Sequence, residues 1–413
     1  MYLYIFLIRI AALFGHRKAR LMMQGQAEAK QRLTTQGNHL KGAIWIHVSS
    51  VGEFEQARPL IEQLRSKNEK VKIVLTFFSP SGYELRKNYN LADAVLYLPF
   101  ATRRNAGRFL DAIQPRVAVF VKYEFWPAYL RELKKRAVPT YSICSIFRPK
   151  QLFFRWWGKW YLRLLHCFTH LYVQDEASKV LLQSHGVNHC SVVGDTRFDR
   201  VSAIVADSAA ANNERLQPVA LFAEGCGQII IAGSSWPQDE ELLAHYITEH
   251  PDTKLILVPH EIDEAHLHFI FNLFQGRFVR YTAVSSQPSV IARRNVLRHA
   301  NVMVVDTIGL LSSIYRFGHV AYIGGGFGVG IHNTIEAAVY GLPVIFGPNY
   351  MNFREAKGLI AVGAARSIGS YPEIEAALDT ALAQHNEIGA KAAAYVEAEK
   401  GATEKIYREI FGK

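Results

Sequence analysis

A chain of 413 residues, 49% hydrophobic and 20% charged, has ample core for an ordinary globular protein, and its length suggests two domains. The formal net charge of +11 favours anionic partners: nucleic acid, an anionic membrane face or a phosphorylated substrate. Cys144, Cys167, Cys190 and Cys226 form no CxxC pair and no His-paired metal spacing, so they read as reduced core residues in a cytosolic compartment and not as a disulfide or zinc framework.

The first stretch, MYLYIFLIRIAALF (Met1–Phe14), is apolar, too short for a comfortable membrane span, and interrupted by Arg9. Arg17, Lys18 and Arg20 follow it, whereas a secretory signal carries its charge before the apolar run. Residues 1–40 therefore read as an anchor and basic segment lying in or dipping into the cytoplasmic leaflet. The alternative is an amphipathic helix packed on the body of the protein.

From Ala43, β-rich runs alternate with helical patterns: AIWIHVS, VKIVLTF, VAVFV, PTYSI and HLYVQ are the expected strands of a domain spanning 41–200. Such alternation predicts a parallel sheet covered by helices on both faces. Within it, SSVGEFEQARPL takes the chain from a strand through Gly52 into a helix. Glu53 then stands at the carboxyl end of the strand, either as a general base or as an acid favoured by the helix macrodipole. VAVFVKYEFWPAYL repeats the arrangement with Lys122 and Glu124, Trp126 as a packing residue and Pro127 at the helix start. FRPKQLFFRWWGKWYLRLLHCF interleaves Trp156, Trp157 and Trp160 with Arg148, Arg155 and Lys159. That mixture suits a lipid–water interface, a buried amphipathic helix or stacked bases; the apolar N-terminus favours the membrane.

Residues 201–227 are Ala-, Asn- and Ser-rich and read as a linker. A second β–α series over 228–413 then predicts another doubly wound domain, with QIIIAGS, KLILVP, VMVVD, HVAYIGG and PVIF as strands. Ligands of such sheets bind beyond the carboxyl ends of the strands. There the sequence places Ser234 and Ser235, then His260, then the glycine turn with Gly325 and Gly326. Asn333 is expected to cap a helix over about Thr334–Tyr340, with Glu336 at the third position. Either the two serve only their own backbone, or the helix start receives a phosphate and the carboxylate receives ribose hydroxyls.

Taken together, HVSSVGE, SPSGYE, YLPF, EFWP, GDTRFD, AGSSWPQDEELL, VVDTIGLLSSIYRFGHVAYIGGG, HNTIEAAVYGLPVIFGP and NFREA, in that order, resemble the 3-deoxy-D-manno-octulosonic acid (Kdo) transferases over nearly the whole chain. The resemblance implies a GT-B fold of two Rossmann-like domains facing a cleft, and inverting transfer of Kdo from CMP-Kdo to a lipid A precursor without a metal or cofactor. It implies Glu53 as general base and Glu124 as a second functional acid. It also implies that Ser234, Ser235, Gly325, Gly326, Asn333 and Glu336 bind the CMP moiety. Lys122 stands where many members carry an acid, and PHEID replaces their Arg-His-Pro run, leaving His260 or Arg197 to supply the donor cation. The implied location is the cytoplasmic face of the bacterial inner membrane, with CMP-Kdo, a lipid A precursor and the anionic membrane surface as partners and no nucleic acid. Another nucleotide-sugar GT-B enzyme or epimerase, and a nonenzymatic nucleotide-binding protein, are the alternatives.

Overall fold

The computed structural model describes residues 1–210, 214–274 and 277–412. The chain forms two units: Met1–Arg200 joined by Lys400–Lys413, and Val201–Glu399.

The first unit holds seven strands, β1 (Ile44–Val48), β2 (Ile73–Phe77), β3 (Ala94–Tyr97), β4 (Val117–Val121), β5 (Thr140–Ser145), β6 (His170–Val173) and β7 (Cys190–Val192). They lie in the order 3-2-1-4-5-6-7, all parallel. All residues of IWIHV and IVLTF are buried, as in a sheet covered on both faces. The helices that matter for the site are α1 (Tyr2–Leu13), α2 (Arg17–Leu40), α3 (Val51–Lys67), α4 (Pro80–Arg86), α5 (Arg103–Ile113), α6 (Pro127–Lys135) and α7 (Lys159–Leu165). Strand order reverses between β1 and β4, and this opens the crevice in which doubly wound sheets bind ligands.

The second unit repeats the design with β8 (Ile229–Ser235), β9 (Lys254–Pro259), β10 (Phe278–Arg280), β11 (Val302–Val304), β12 (Val320–Ile323), β13 (Val344–Phe346) and β14 (Ala365–Ser367). Their order is 10-11-9-8-12-13-14, again parallel, with the reversal between β8 and β12.

The domain limits differ from the expectation at two places. The stretch read as a linker over 201–227 contains the end of a helix, Thr196–Ala210, and a second helix, Gln217–Ala223, whose Val219 and Phe222 are buried; residues 211–213 lie outside the described residues. The C-terminus returns to the first unit, because the helix Ala402–Phe411 is amphipathic and puts Ile406 into that core. Asp199 fastens the return by accepting bonds from the Gly401 and Thr403 amides at 2.6 and 2.7 Å.

No helix among the described residues is long and apolar enough to cross a membrane. None of the residues of α1 is buried, and Leu3, Phe6, Leu7 and Leu13 face solvent, while Ile5 and Ile8 pack against the body.

Candidate active site

β1 and β4 are neighbours, so the segments that leave their carboxyl ends meet. After β1, Ser50 caps α3: its hydroxyl accepts the Glu53 amide, and the Glu53 carboxylate accepts the amides of Ser49 and Ser50. The helix-start role is thus present. It occupies one carboxylate oxygen, Oε2; among the described residues Oε1 makes no hydrogen bond. Burial raises the Glu53 pKa, and the nearby Glu124 charge raises it further, against the bonds from Ser49 and Ser50 and the influence of His47. A carboxylate so raised is a stronger base than a solvated one.

After β4 the chain turns through Lys122 in the left-handed region (φ 56°) and presents Glu124. Its Oε2 lies 3.0 Å from His47 Nε2 and accepts the Trp126 indole N–H at 2.6 Å. Trp126 therefore does more than pack, although its ring also lies 4.5 Å from that of Phe78. His47 sits in the middle of the sheet with 0% exposure. Its Nδ1 is 2.8 Å from Thr76 Oγ1, which accepts the Trp45 indole N–H at 2.8 Å. Nδ1 also lies 3.2 Å from the Thr76 carbonyl oxygen, and the Trp126 indole N–H is shared between His47 Nε2, at 3.0 Å, and Glu124 Oε2. Sequence reasoning missed His47. Its signal was a lone imidazole inside an otherwise apolar strand, where a buried polar group needs partners.

Glu124 borders an open cavity of about 910 Å³ lined by Tyr2 of α1, Arg103 of α5, Trp126, then Arg131, Glu132 and Lys135 of α6, and Tyr161 of α7. The Trp-rich segment adjoins it and is less regular than a continuous helix. It forms two 3-10 turns, Leu152–Phe154 and Trp156–Gly158, before α7. A side chain at Gly158 would strike the Leu152 carbonyl, so the turns are packed too tightly for a straight helix. Trp156, Trp157 and Trp160 are 84, 51 and 51% exposed. The Arg155 guanidinium lies 5.9 Å from the centre of the Trp157 ring and donates to the Lys150 carbonyl. The Arg148 amide donates to Gln151 Oε1, and Lys159 opens α7.

In the second unit the candidates gather at the ends of β8, β9 and β12. Ser234 adopts φ 54°, and its carbonyl lies so close to Gly324 that a Cβ there would clash. Ser235 is fully buried and its hydroxyl donates to Glu240 Oε1 at 2.8 Å, so this side chain is turned into the fold and not toward a ligand. Gly325 is buried and its amide already donates to Asp239 Oδ2 at 2.9 Å; Gly326 is buried against Gly347, where any side chain would collide with backbone. The glycines thus serve close packing of two turns. His260 is exposed and stacks on Trp236 (4.9 Å between centroids), with His332 4.5 Å away. Burial and then His260 push the His332 pKa down to about 4, so His332 is neutral at physiological pH.

The helix after Asn333 is a single turn, Ile335–Ala338, rather than the longer helix expected, and Gly341 in the left-handed region (φ 70°) follows closely. One turn does not build the aligned dipole the phosphate reading invoked. Asn333 and Glu336 instead hold each other: Asn333 Nδ2 donates to Glu336 Oε1 at 2.8 Å, and Ser312 donates to Oε2 at 2.6 Å. Arg197 belongs to the first unit, where its guanidinium is bonded to the buried Asp195 at 2.7 and 2.9 Å.

Residues 18–200 match the family model described as 3-deoxy-D-manno-octulosonic-acid transferase (kdotransferase). A protein of that name from Aquifex aeolicus is 25% identical over 84% of this chain and 88% of its own length. One from Bordetella pertussis is 27% identical over 89% and 86%. The chain is thus similar to Kdo transferases over most of its length. The fold agrees with the two-domain GT-B expectation: a UDP-GlcNAc 2-epimerase structure from Neisseria meningitidis superposes with a TM-score of 0.65, covering 90% of this chain and all of that one. At 14% identity this likeness concerns the fold alone. Glu53 and Glu124, the acids of the SVGE and EFWP segments, both fall within the part of the chain that matches the family model.

Proposed function

We propose that this protein is a Kdo transferase that moves Kdo from CMP-Kdo to a hydroxyl of a lipid A precursor in lipopolysaccharide core assembly, with inversion and without a metal. Glu53 takes the proton of the acceptor hydroxyl while its oxygen bonds to the anomeric carbon. The bond from that carbon to the phosphate oxygen breaks, and the electron pair leaves with CMP. Glu124 is the second functional acid, held by His47 and Trp126 beside the cavity. CMP is an anionic leaving group that needs no protonation, so the catalytic demand falls on activating the alcohol.

The observation that carries the reading is the pair of carboxylates at the β1 and β4 ends: Glu53 with a raised pKa, and Glu124 bordering a cavity that Tyr2 of α1 helps to line. Asn333 and Glu336 are the donor-side residues this reading keeps, with His260 the exposed imidazole nearby. The exposed α1 and the Trp156–Trp160 segment fit peripheral docking at the cytoplasmic face of the inner membrane. The test is incubation with a CMP-Kdo generating system and a tetraacylated, bisphosphorylated lipid A precursor, followed by mass spectrometry of the lipid. Addition of Kdo is expected; an unmodified lipid beside consumed CMP-Kdo in a control enzyme would contradict it.

A further inference from the structure

Asp239 and Glu240 are consecutive in the first turn of the helix Pro237–Glu249, and both are buried. Between them they tie together three of the turns at the strand ends of the second unit. Asp239 accepts the Trp236 amide at 3.0 Å, the Gly325 amide at 2.9 Å and the Tyr322 hydroxyl at 2.8 Å. Glu240 Oε1 accepts the Ser235 hydroxyl, and Oε2 faces His266 Nε2, both at 2.8 Å. His266 stands in the first turn of the next helix, Glu264–Phe274, and its Nδ1 lies 2.8 Å from the Glu261 carbonyl. The ring therefore bridges Glu240 and the turn after β9 that begins at His260.

A carbonyl only accepts, so Nδ1 carries a proton. A second proton must lie between Nε2 and Glu240, because two bare lone pairs do not bond. Among the described residues no other cation lies within ion-pair distance of Asp239 or Glu240. On its own helix end His266 meets Asp263, whose carboxylate accepts the Ala265 and His266 amides at 3.1 and 3.0 Å, while Glu264 pairs with Arg280 at 3.9 Å. Burial pushes the Glu240 carboxyl up, the bonds from Ser235 and His266 pull it down, and the Asp239 charge pushes it up again. A proton held in common keeps the buried pair neutral overall.

We propose that His266 is a positioning residue for the nucleotide: its proton-sharing bond to Glu240 latches the turn after β9, and His260 with it, to the start of the helix Pro237–Glu249. The latch opens when the shared proton is lost as pH rises. The inference rests on the reading of the second unit as the CMP-Kdo side.

The experiment uses the full chain as wild type, His266→Ala and Glu240→Gln. CMP binding is measured by isothermal titration at about pH 7.5 and about pH 9.5, where the CMP phosphate is already fully ionised. Hydrogen exchange of the 260–266 amides is compared at one pH. Glu240→Gln keeps both bonds without a shared proton, since its oxygen accepts from Ser235 and its NH₂ donates to a neutral Nε2. The wild type is expected to lose CMP affinity several-fold at the higher pH, and Glu240→Gln to keep it. His266→Ala should bind CMP several-fold more weakly at both values and exchange these amides faster. A flat wild-type profile, an equal alkaline loss in Glu240→Gln, or unchanged CMP affinity in His266→Ala overturns the proposal. No CMP binding by the wild type, with faster exchange in His266→Ala and not in Glu240→Gln, upholds the latch and removes the donor reading instead.

Discussion

His47 Nε2 lies 3.0 Å from Glu124 Oε2, joining a wholly buried imidazole in the sheet to a carboxylate at its edge. The imidazole is fixed from behind by Thr76, and Thr76 by Trp45. Glu124 is thus aimed by the core as well as by Trp126 of its own loop. His47→Ala should lower kcat on the order of tenfold, the scale of a mispositioned catalytic group, with little change in either KM. His47→Gln, which keeps a donor and an acceptor, should recover most of the loss. A purely structural histidine would show reduced folded yield and unchanged kcat per folded molecule.

Glu53 and Glu124 are coupled through charge. Burial is the first cause of the raised Glu53 pKa and Glu124 the second. Activity that needs ionised Glu53 falls as pH drops through that raised value. Glu124→Gln removes the repelling charge, so the acidic limb of the kcat/KM profile should move to lower pH even as the maximum falls. An upward shift, or none, would separate the two carboxylates.

Ser235 and Asn333 should respond differently to alanine. Loss of the Ser235 hydroxyl leaves a buried Glu240 oxygen short of a donor, a cost of about 1–2 kcal/mol in urea unfolding, while donor KM stays put. Asn333→Ala removes one of the bonds that hold Glu336 on a one-turn helix, and donor KM should rise several-fold. A raised donor KM for Ser235→Ala would return that hydroxyl to the binding site.

Arg197 was a candidate donor cation, but Asp195 already occupies it. Burial alone would raise the Asp195 pKa; the Arg197 charge and its hydrogen bonds outweigh this and hold it below the usual range. A depressed carboxylate stabilises the fold above its ordinary titration range, and that contribution is lost as pH falls through the lowered folded-state value. Arg197→Ala should therefore destabilise the protein by about 3 kcal/mol at neutral pH, with a smaller gap in acid. Unchanged stability with a raised KM for CMP-Kdo would restore the donor role.

The central strands were legible because IWIHV, IVLTF and KLILVP are continuous apolar runs with both faces covered. β3, β7, β10 and β14 were not among the expected strands, and each is an edge strand of three or four residues. Edge positions need less apolar sequence, and so leave a weak pattern. Glu53 and Glu124 could be named because each follows a strand, but their proximity depends on β1 lying beside β4, a long-range pairing that no local spacing encodes. Ser235 misled for the opposite reason: its position at a strand end was read correctly, whereas the rotation of its side chain toward Glu240 is a tertiary matter. The return of Ala402–Phe411 to the first unit was hidden likewise, since an amphipathic helix does not state which core it covers.

The most direct measurement is single-turnover transfer by Glu53→Gln, with CMP binding followed in parallel by thermal shift. A positioned base contributes about a hundredfold or more, so the amide, which cannot accept the proton, should cut the transfer rate by at least that factor while CMP still stabilises the protein. Transfer within a few-fold of the wild-type rate would show that the acceptor alcohol loses its proton elsewhere and that Glu53 only caps α3.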